Sequence, residues 1–264
     1  MIIKVLNDNL SSNEKFKCEH GLSLYIEHNE FKFLFDAGQT DLFIQNACLL
    51  GVILNDIDFI VLSHGDYDHG NGLKYLDIGK RDLYAHPHFL EYRISKRTGL
   101  FDGLNQSREQ INDRFNLIES DKPIEIRKDI FFMGEIKRLS HFDIGGLPMV
   151  DRFNKEYMHL DDTGIAIKTD KGVIVITGCA HSGLCNIIEH AKTVSGCNEV
   201  YAVIGGFHLK DTGKKTQNVL KYLKKVKPKK LFLAHCTSED AKTLLINELD
   251  SETYRLKTGL TYEL

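Results

Sequence analysis

Two histidines and two aspartates lie within six positions of one another, directly after the apolar run at residues 59–62. They are His64, Asp66, Asp68 and His69. Neighbouring carboxylates disfavour each other's charged form, whereas a bound divalent cation reverses that effect. Imidazole and carboxylate are also common protein ligands of transition metals. The stretch therefore predicts a metal site at the end of a strand; the alternative is a polar turn that merely contains ionisable residues.

The same placement recurs in the second half of the chain, where an apolar strand of about five residues again ends at a histidine in a glycine-containing turn. It is found at His181, His208 and His235, as well as at His64. In layered α/β proteins the carboxyl ends of strands gather at one edge, where loops build a site. We therefore expect the four histidines to converge. Cys179 and Cys236 each lie beside one of these strand ends.

The elements that position these residues begin with three β-rich runs at 2–6, 22–27 and 31–35, which predict an antiparallel meander. A helix is predicted from residue 42, and the nearly all-apolar run 57–62 is typical of a strand buried on both faces.

Residues 74–125 predict a loop-rich insertion, with a short strand at 82–85 and a helix at 86–97. An irregular stretch is expected around Gly145-Gly146. Strong patterning then returns, and it predicts further strands and helices. The strands are at 164–168, 172–177, 199–204 and 231–234, and the helices follow at about 187, 214–226 and 239–249.

Composition indicates which partners to expect. The 264 residues are 42% hydrophobic and 27% charged, with a formal net charge of -3, which argues against nucleic acid or an anionic membrane as a partner. No export signal or membrane-spanning run is evident, so the six cysteines do not predict a disulfide framework. We expect a cytoplasmic protein that acts on a small molecule; the oligomeric state is not predictable.

Residues 57–73 resemble the His-x-His-x-Asp-His signature of the metallo-β-lactamase superfamily, with Asp66 in place of the second histidine. Phe35-Asp36-Ala37-Gly38 is similar to the early Asp-x-Gly strand end of that superfamily. The motifs around His181, His208 and His235 resemble one branch in particular. That branch contains the archaeal dihydropterin-ribofuranosylaminobenzene phosphate synthases and many bacterial relatives.

The resemblance implies an α/β fold, a four-layer αββα sandwich formed as a single domain over residues 1–264. It also implies two divalent metal ions, with zinc as the expected metal and iron or manganese as alternatives. The implied ligands are His64, Asp66 and His181 at the first metal and Asp68, His69 and His235 at the second.

Two departures from the superfamily pattern affect the site. Cys179 stands near the usual place of an aspartate that bridges both metals, so the bridge is either missing or supplied by its thiolate. Asp66 makes the site harder and more negative, which weakens the preference for zinc and admits iron or manganese. His141 is a candidate for the imidazole that Asp66 removes.

The resemblance implies a metal-dependent hydrolase that uses a metal-bound hydroxide on a small cytosolic substrate, which is phosphate-bearing or pterin-like. Asp68 would orient the water, and His208 would bind substrate or donate a proton to the leaving group. Two alternatives remain open: an iron-dependent oxidoreductase built on the Asp66-bearing site, and a non-enzymatic metal- or ligand-binding sensor with a degenerate site.

Overall fold

A computed structural model describes residues 1–144 and 149–264. The chain forms two compact units, each assembled from segments that are distant in sequence. The first unit comprises Met1–Glu119, Leu147–Asp161 and Leu256–Leu264, and the second comprises Ser120–Gly146 and Asp162–Arg255.

A seven-stranded sheet forms the first unit, in the order β16-β1-β2-β3-β4-β5-β7. Its amino-terminal strands pair antiparallel, whereas β3, β4, β5 and β7 are parallel neighbours. A separate two-stranded ribbon pairs β6 with β10. These strands are β1 (Ile2–Asn7), β2 (Ser23–His28), β3 (Phe31–Phe35), β4 (Phe59–Val61), β5 (Asp82–Ala85), β6 (Ile94–Ser95), β7 (Asn116–Glu119), β10 (Met149–Val150) and β16 (Thr261–Glu263).

The described residues of the first unit include three α-helices, α1 (Leu42–Leu49), α2 (Tyr67–Gly70) and α3 (Arg108–Arg114). The inward face of α1 buries Phe43 and Ala47 in an apolar core with residues of β3 and β4. A capping box begins α3, since the Ser107 hydroxyl accepts from the Gln110 amide and the Gln110 side chain accepts from the Ser107 amide. The apolar core that α1 shares with β3 and β4 anchors the short strand β4, which precedes His64.

The second unit contains another seven-stranded sheet, in the order β15-β14-β13-β12-β11-β9-β8. Strands β12 to β15 are parallel neighbours. β12, β13 and β14 are rich in apolar residues, which pack with those of the helices α4, α5 and α6 in one continuous core. The elements are β8 (Ile124–Arg127), β9 (Ile130–Phe132), β11 (Gly164–Thr169), β12 (Gly172–Thr177), α4 (Leu184–Ser195), β13 (Val200–Gly205), α5 (Lys214–Val226), β14 (Lys230–Leu233), α6 (Glu239–Glu248) and β15 (Glu252–Arg255).

Most predicted strands and helices are present, including the amino-terminal meander and the predicted helix at Lys214–Val226. The prediction of a helix at 86–97 is wrong, because the segment forms turns and then β6. The guanidinium of Arg93 donates to the carbonyls of His88 and Phe89. In a helix these carbonyls would instead accept hydrogen bonds from backbone amides one turn further along the chain. Within 74–125, β5 and β7 are strands of the large sheet. Gly145-Gly146, predicted to be irregular, lies outside the described residues.

Among the residues that the structure describes, no helix has both the length and the apolar character needed to cross a bilayer.

Candidate metal centre

Parallel strand ends position the candidate residues of the first unit. Asp36 follows β3 and His64 follows the neighbouring strand β4, so both emerge at the same sheet edge. Asp36 has a left-handed backbone (φ 57°), a conformation that aspartate tolerates better than most residues. Its amide donates to the Val61 carbonyl at 2.9 Å, which ties the turn to β4. We name the buried group formed by Asp36, His64, Asp66, Asp68, His69 and His159 the Asp66 cluster.

Both histidines of the motif have their Nδ1 atoms engaged. Asp36 Oδ2 lies 2.7 Å from Nδ1 of His69, and Ser63 Oγ lies 2.8 Å from Nδ1 of His64. The Ser63 amide and hydroxyl in turn donate to the two oxygens of Asp36, each at 2.7 Å. Such outer contacts fix the tautomer and orientation of metal-binding histidines, which leaves Nε2 to face a metal. Burial opposes the charged form of His69, yet the carboxylates of Asp68 and Asp36 hold its pKa above the ordinary value.

A buried arginine fixes the orientation of Asp66. Arg93 Nη1 donates to Asp66 Oδ1 at 2.8 Å, and Arg93 Nη2 donates to Asp161 Oδ2 at 2.9 Å. The other Asp66 oxygen, Oδ2, lies 3.4 Å from His64 Nε2 and 3.5 Å from His159 Nε2. Although burial works against the charged carboxylate, Arg93 lowers the pKa of Asp161 to about 2. The guanidinium therefore neutralises part of a dense negative cluster.

Asp68 lies on the first turn of α2, with one carboxylate oxygen 3.2 Å from His20 Nε2 and 3.8 Å from His69 Nε2. The negative field of the region is evident at Asp102: burial, followed by Asp66 and Asp68, raises the pKa of its carboxyl group to about 6. A site with this excess of carboxylates favours a cation.

The second unit presents its candidates on three adjacent parallel strands. Residues 178–181 follow β12, His208 follows β13 and His235 follows β14. Ala180, His208 and His235 all have positive φ values, of 55°, 46° and 39°. Non-glycine residues in this region carry a conformational cost and cluster at functional sites, where surrounding structure imposes them. The sheet thus holds these loops in unusual conformations.

Cys179 lies at the centre of this group. Its Sγ is within 4.8 Å of a ligand atom on each of four neighbours in the second unit. These neighbours, which with Cys179 form what we name the Cys179 cluster, are His181, His208, His235 and Cys236. All five residues are buried, and the rings of His181 and His208 lie with centroids 4.7 Å apart. Thiolate and imidazole are the ligands that zinc prefers in proteins.

The structure therefore places the residues predicted from sequence in two groups, four in the Asp66 cluster and three in the Cys179 cluster. His141 is exposed, although it was a candidate for the imidazole missing at position 66. His159, Arg93 and Asp161 were not anticipated. The only available signal was the position of the stretch Met158-His159-Leu160-Asp161-Asp162, which directly precedes the apolar strand β11.

Donor chemistry provides the test of whether metal ions fit. The Asp66 cluster offers imidazole nitrogens and carboxylate oxygens at mutual distances of 3.4 to 3.8 Å. Two ligands of one tetrahedral zinc ion, each bound at about 2.0–2.1 Å, are separated by roughly 3.3 Å. The residues present fit a divalent metal.

Comparison with known proteins identifies the family of the chain. Residues 17–235 match the model of the metallo-beta-lactamase superfamily. A 7,8-dihydropterin-6-methyl-4-(beta-D-ribofuranosyl)-aminobenzene-5'-phosphate synthase of Methanocaldococcus jannaschii is 32% identical, over 98% of this chain and 94% of its own.

Solved structures show the same fold. A crystal structure described as a metal-dependent hydrolase of the beta-lactamase superfamily superposes with a TM-score of 0.88 at 26% identity, covering 100% of this chain and 99% of that one. A diphosphatase of the PhnP family, 16% identical, has a TM-score of 0.57 over 100% of this chain and 97% of its own, which supports the fold alone. The predicted metallo-β-lactamase fold is confirmed, and the chain belongs to the metallo-beta-lactamase superfamily.

Proposed function

We propose that this protein is a metal-dependent hydrolase that acts on a small, phosphate-bearing or pterin-like substrate in the cytosol. One observation carries the proposal. His64 and His69 are buried, and each has its Nδ1 atom occupied, by Ser63 and Asp36 respectively. This is the arrangement expected of metal-binding imidazoles, because the second nitrogen is left to face the ion.

The proposed ligands are the six predicted from the sequence: His64, Asp66, Asp68, His69, His181 and His235. Cys179 is a further candidate, because its thiol lies close to both His181 and His235. Zinc suits the imidazoles and thiol, whereas the carboxylate of Asp66 also admits iron or manganese. We propose two divalent ions per chain.

Bound divalent ions would supply Lewis-acid polarisation of a carbonyl or phosphoryl oxygen and would make water acidic enough to act as a nucleophile near neutral pH. The chain itself would position that water through the carboxylate of Asp68, which has one oxygen beside His20. His208 would bind substrate or transfer a proton to the leaving group, a role that the ordinary pKa of an imidazole suits.

Support for a phosphate-bearing substrate comes from the relative and from one lysine. The relative of M. jannaschii is named as the synthase of a ribofuranosyl-aminobenzene phosphate. In this chain Lys215 is half-buried at the start of α5, and burial lowers the pKa of its ammonium group despite the attraction of Asp143 and Cys236. A cation beside the Cys179 cluster is suited to a substrate phosphate.

The test is metal analysis of protein purified without chelators, followed by a screen with small phosphate esters and pterin phosphates. We expect about two equivalents of zinc or manganese per chain and hydrolysis that chelators abolish. His69→Ala and His235→Ala should each lose metal and activity together, whereas His208→Ala should lose activity and retain metal.

Three other results would contradict parts of this proposal. Redox-active iron with no hydrolysis would favour an oxidoreductase, for which Asp66 is the specific reason. Less than about one-tenth of an equivalent of metal, with no activation by added ions, would contradict both enzymes and favour a sensor with a degenerate site. Metal loss in His208→Ala would overturn the division between ligands and His208.

A further inference from the structure

His159 lies in the segment between β10 and β11, within the first unit. Its side chain is buried, and its backbone has a φ of 45°, a left-handed conformation that is uncommon outside glycine. Its Nε2 lies 3.5 Å from Asp66 Oδ2. The residue is 90 or more positions along the chain from His64 and Asp66, so no local motif includes it.

The distance between Asp66 and His159 is the one expected of two ligands of the same metal ion. Because Arg93 occupies Oδ1, the oxygen that remains for a cation is Oδ2. That atom lies 3.5 Å from His159 Nε2, close to the separation of roughly 3.3 Å expected for two ligands of one tetrahedral zinc ion. The pair has the spacing of ligands that share a metal.

Ring packing and a hydrogen-bond network also hold His159 in place. Its ring packs against Tyr157 in an edge-on arrangement, with centroids 4.9 Å apart and an interplanar angle of 72°. The Tyr157 hydroxyl donates to Asp161 Oδ1 at 3.0 Å, and the Gly65 amide donates to Asp161 Oδ2 at 2.7 Å. Arg93 joins the same carboxylate and lies over the Tyr157 ring, 4.4 Å from its centroid. One buried network therefore positions both Asp66 and His159.

We propose that His159 is a ligand of the metal ion that Asp66 binds. It supplies the imidazole that the motif lacks at position 66, and it does so from a distant segment that Asp161 and Tyr157 hold in place. The inference rests on the proposed function, since it requires the chain to bind metal. It assigns to His159 the role for which the sequence suggested His141.

The test compares zinc binding by the wild-type chain, His159→Gln and His141→Gln, measured by competition with a chromophoric chelator and by elemental analysis. Loss of an outer contact lowers metal affinity by roughly 10–100-fold. For His159→Gln we expect a loss of about 100-fold or more and a substoichiometric zinc content. His141→Gln, altered at an exposed position, should bind zinc as the wild-type chain does.

The outcomes separate the two proposals. A wild-type chain that binds neither zinc nor manganese contradicts the proposed function. A wild-type chain that binds zinc, together with a folded His159→Gln chain of equal affinity and content, overturns the role of His159 alone.

Should His159→Gln fail to fold, nitrogen NMR of the wild-type chain gives the answer. With ¹⁵N-labelled histidine, zinc loading should shift the His159 Nε2 resonance in the direction of a metal-bound nitrogen. An unchanged resonance, while those of His64 and His69 move, would overturn the inference.

Discussion

Asp36 Oδ2 and His69 Nδ1 lie 2.7 Å apart, and both side chains are completely buried. The same oxygen accepts a hydrogen bond from the Ser63 hydroxyl, and the other oxygen accepts from the Ser63 amide. Asp36 therefore connects the end of β3 to the loop that follows β4. It acts as a positioning residue for the imidazole, because its contact fixes which nitrogen of His69 faces the Asp66 cluster.

Asp36→Asn should weaken zinc binding by about 10–100-fold, because the amide keeps the shape of the side chain but removes the charge that favours an Nδ1 donor on His69. The measurement is a zinc competition titration. Asp41→Asn is the matched control, since Asp41 is exposed and its carboxylate contacts Gln45 on the surface. Equal affinity in the two variants would show that Asp36 does not position His69.

The sequence predicted the strand ends that carry the histidines of the second unit. His181, His208 and His235 each follow an apolar strand, and three neighbouring parallel strands do bring them to one sheet edge. Strand periodicity and the position of glycines were sufficient for this, because parallel strands that are consecutive in sequence also pair here. The amino-terminal meander followed from local patterning in the same way.

Arg93 and His159 show why the rest was not predictable. Arg93 lies in a segment whose composition suits a helix, yet its guanidinium is buried between Asp66 and Asp161. Nothing local indicates that a charged side chain has partners 27 and 68 residues away. Tertiary contacts of this kind override local propensity, and their effect appears only when the segments are packed.

Gly206→Ala should destabilise the second unit by about 1–3 kcal/mol through overpacking. A Cβ atom there would lie 2.4 Å from Cys236 Sγ and 2.6 Å from the Gly178 carbonyl oxygen, and neither is the end of a long flexible chain. Urea unfolding measures the loss. Gly213→Ala is the control, because its Cβ would meet only the exposed Asp211 side chain. Similar losses in both variants would contradict the crowding argument.

The stability of the chain should depend on pH through His190. Burial lowers the pKa of this histidine, although its Nε2 is bonded to the Met133 carbonyl at 2.9 Å. The folded protein therefore favours the neutral ring, whereas the unfolded chain takes up a proton as the pH falls through about 6.5. The free energy of unfolding should fall below that pH.

In His190→Gln this contribution is absent, so unfolding free energy should vary less with pH than in the wild-type chain. Urea unfolding at several values between about pH 7.5 and about pH 5, at equal metal content, gives the two slopes. Parallel pH profiles would show that His190 does not contribute.

Arg93→Met should lower the free energy of unfolding by about 3–5 kcal/mol, the cost of leaving buried charges without their partner. The substitution preserves much of the side-chain volume, so the loss reports mainly on the carboxylates of Asp66 and Asp161. Asp161 is wholly buried, and Arg93 is the largest of the charges that hold the pKa of its carboxyl group below the ordinary value. Guanidinium chloride or urea unfolding of the metal-free protein measures the effect.

The double variant Arg93→Met/Asp161→Asn distinguishes charge from packing. Replacing Asp161 by asparagine removes one of the uncompensated charges. The single amide oxygen can still accept from the Gly65 amide, as Oδ2 does, and the amide NH2 in place of Oδ1 can donate to the Tyr157 hydroxyl oxygen. The double variant should therefore be more stable than Arg93→Met alone, and the double-mutant cycle should show strong coupling between the two positions. Additive losses would mean that Arg93 stabilises the fold through its contacts with Tyr157 and the loop carbonyls. The ion pair with Asp161 would then contribute little.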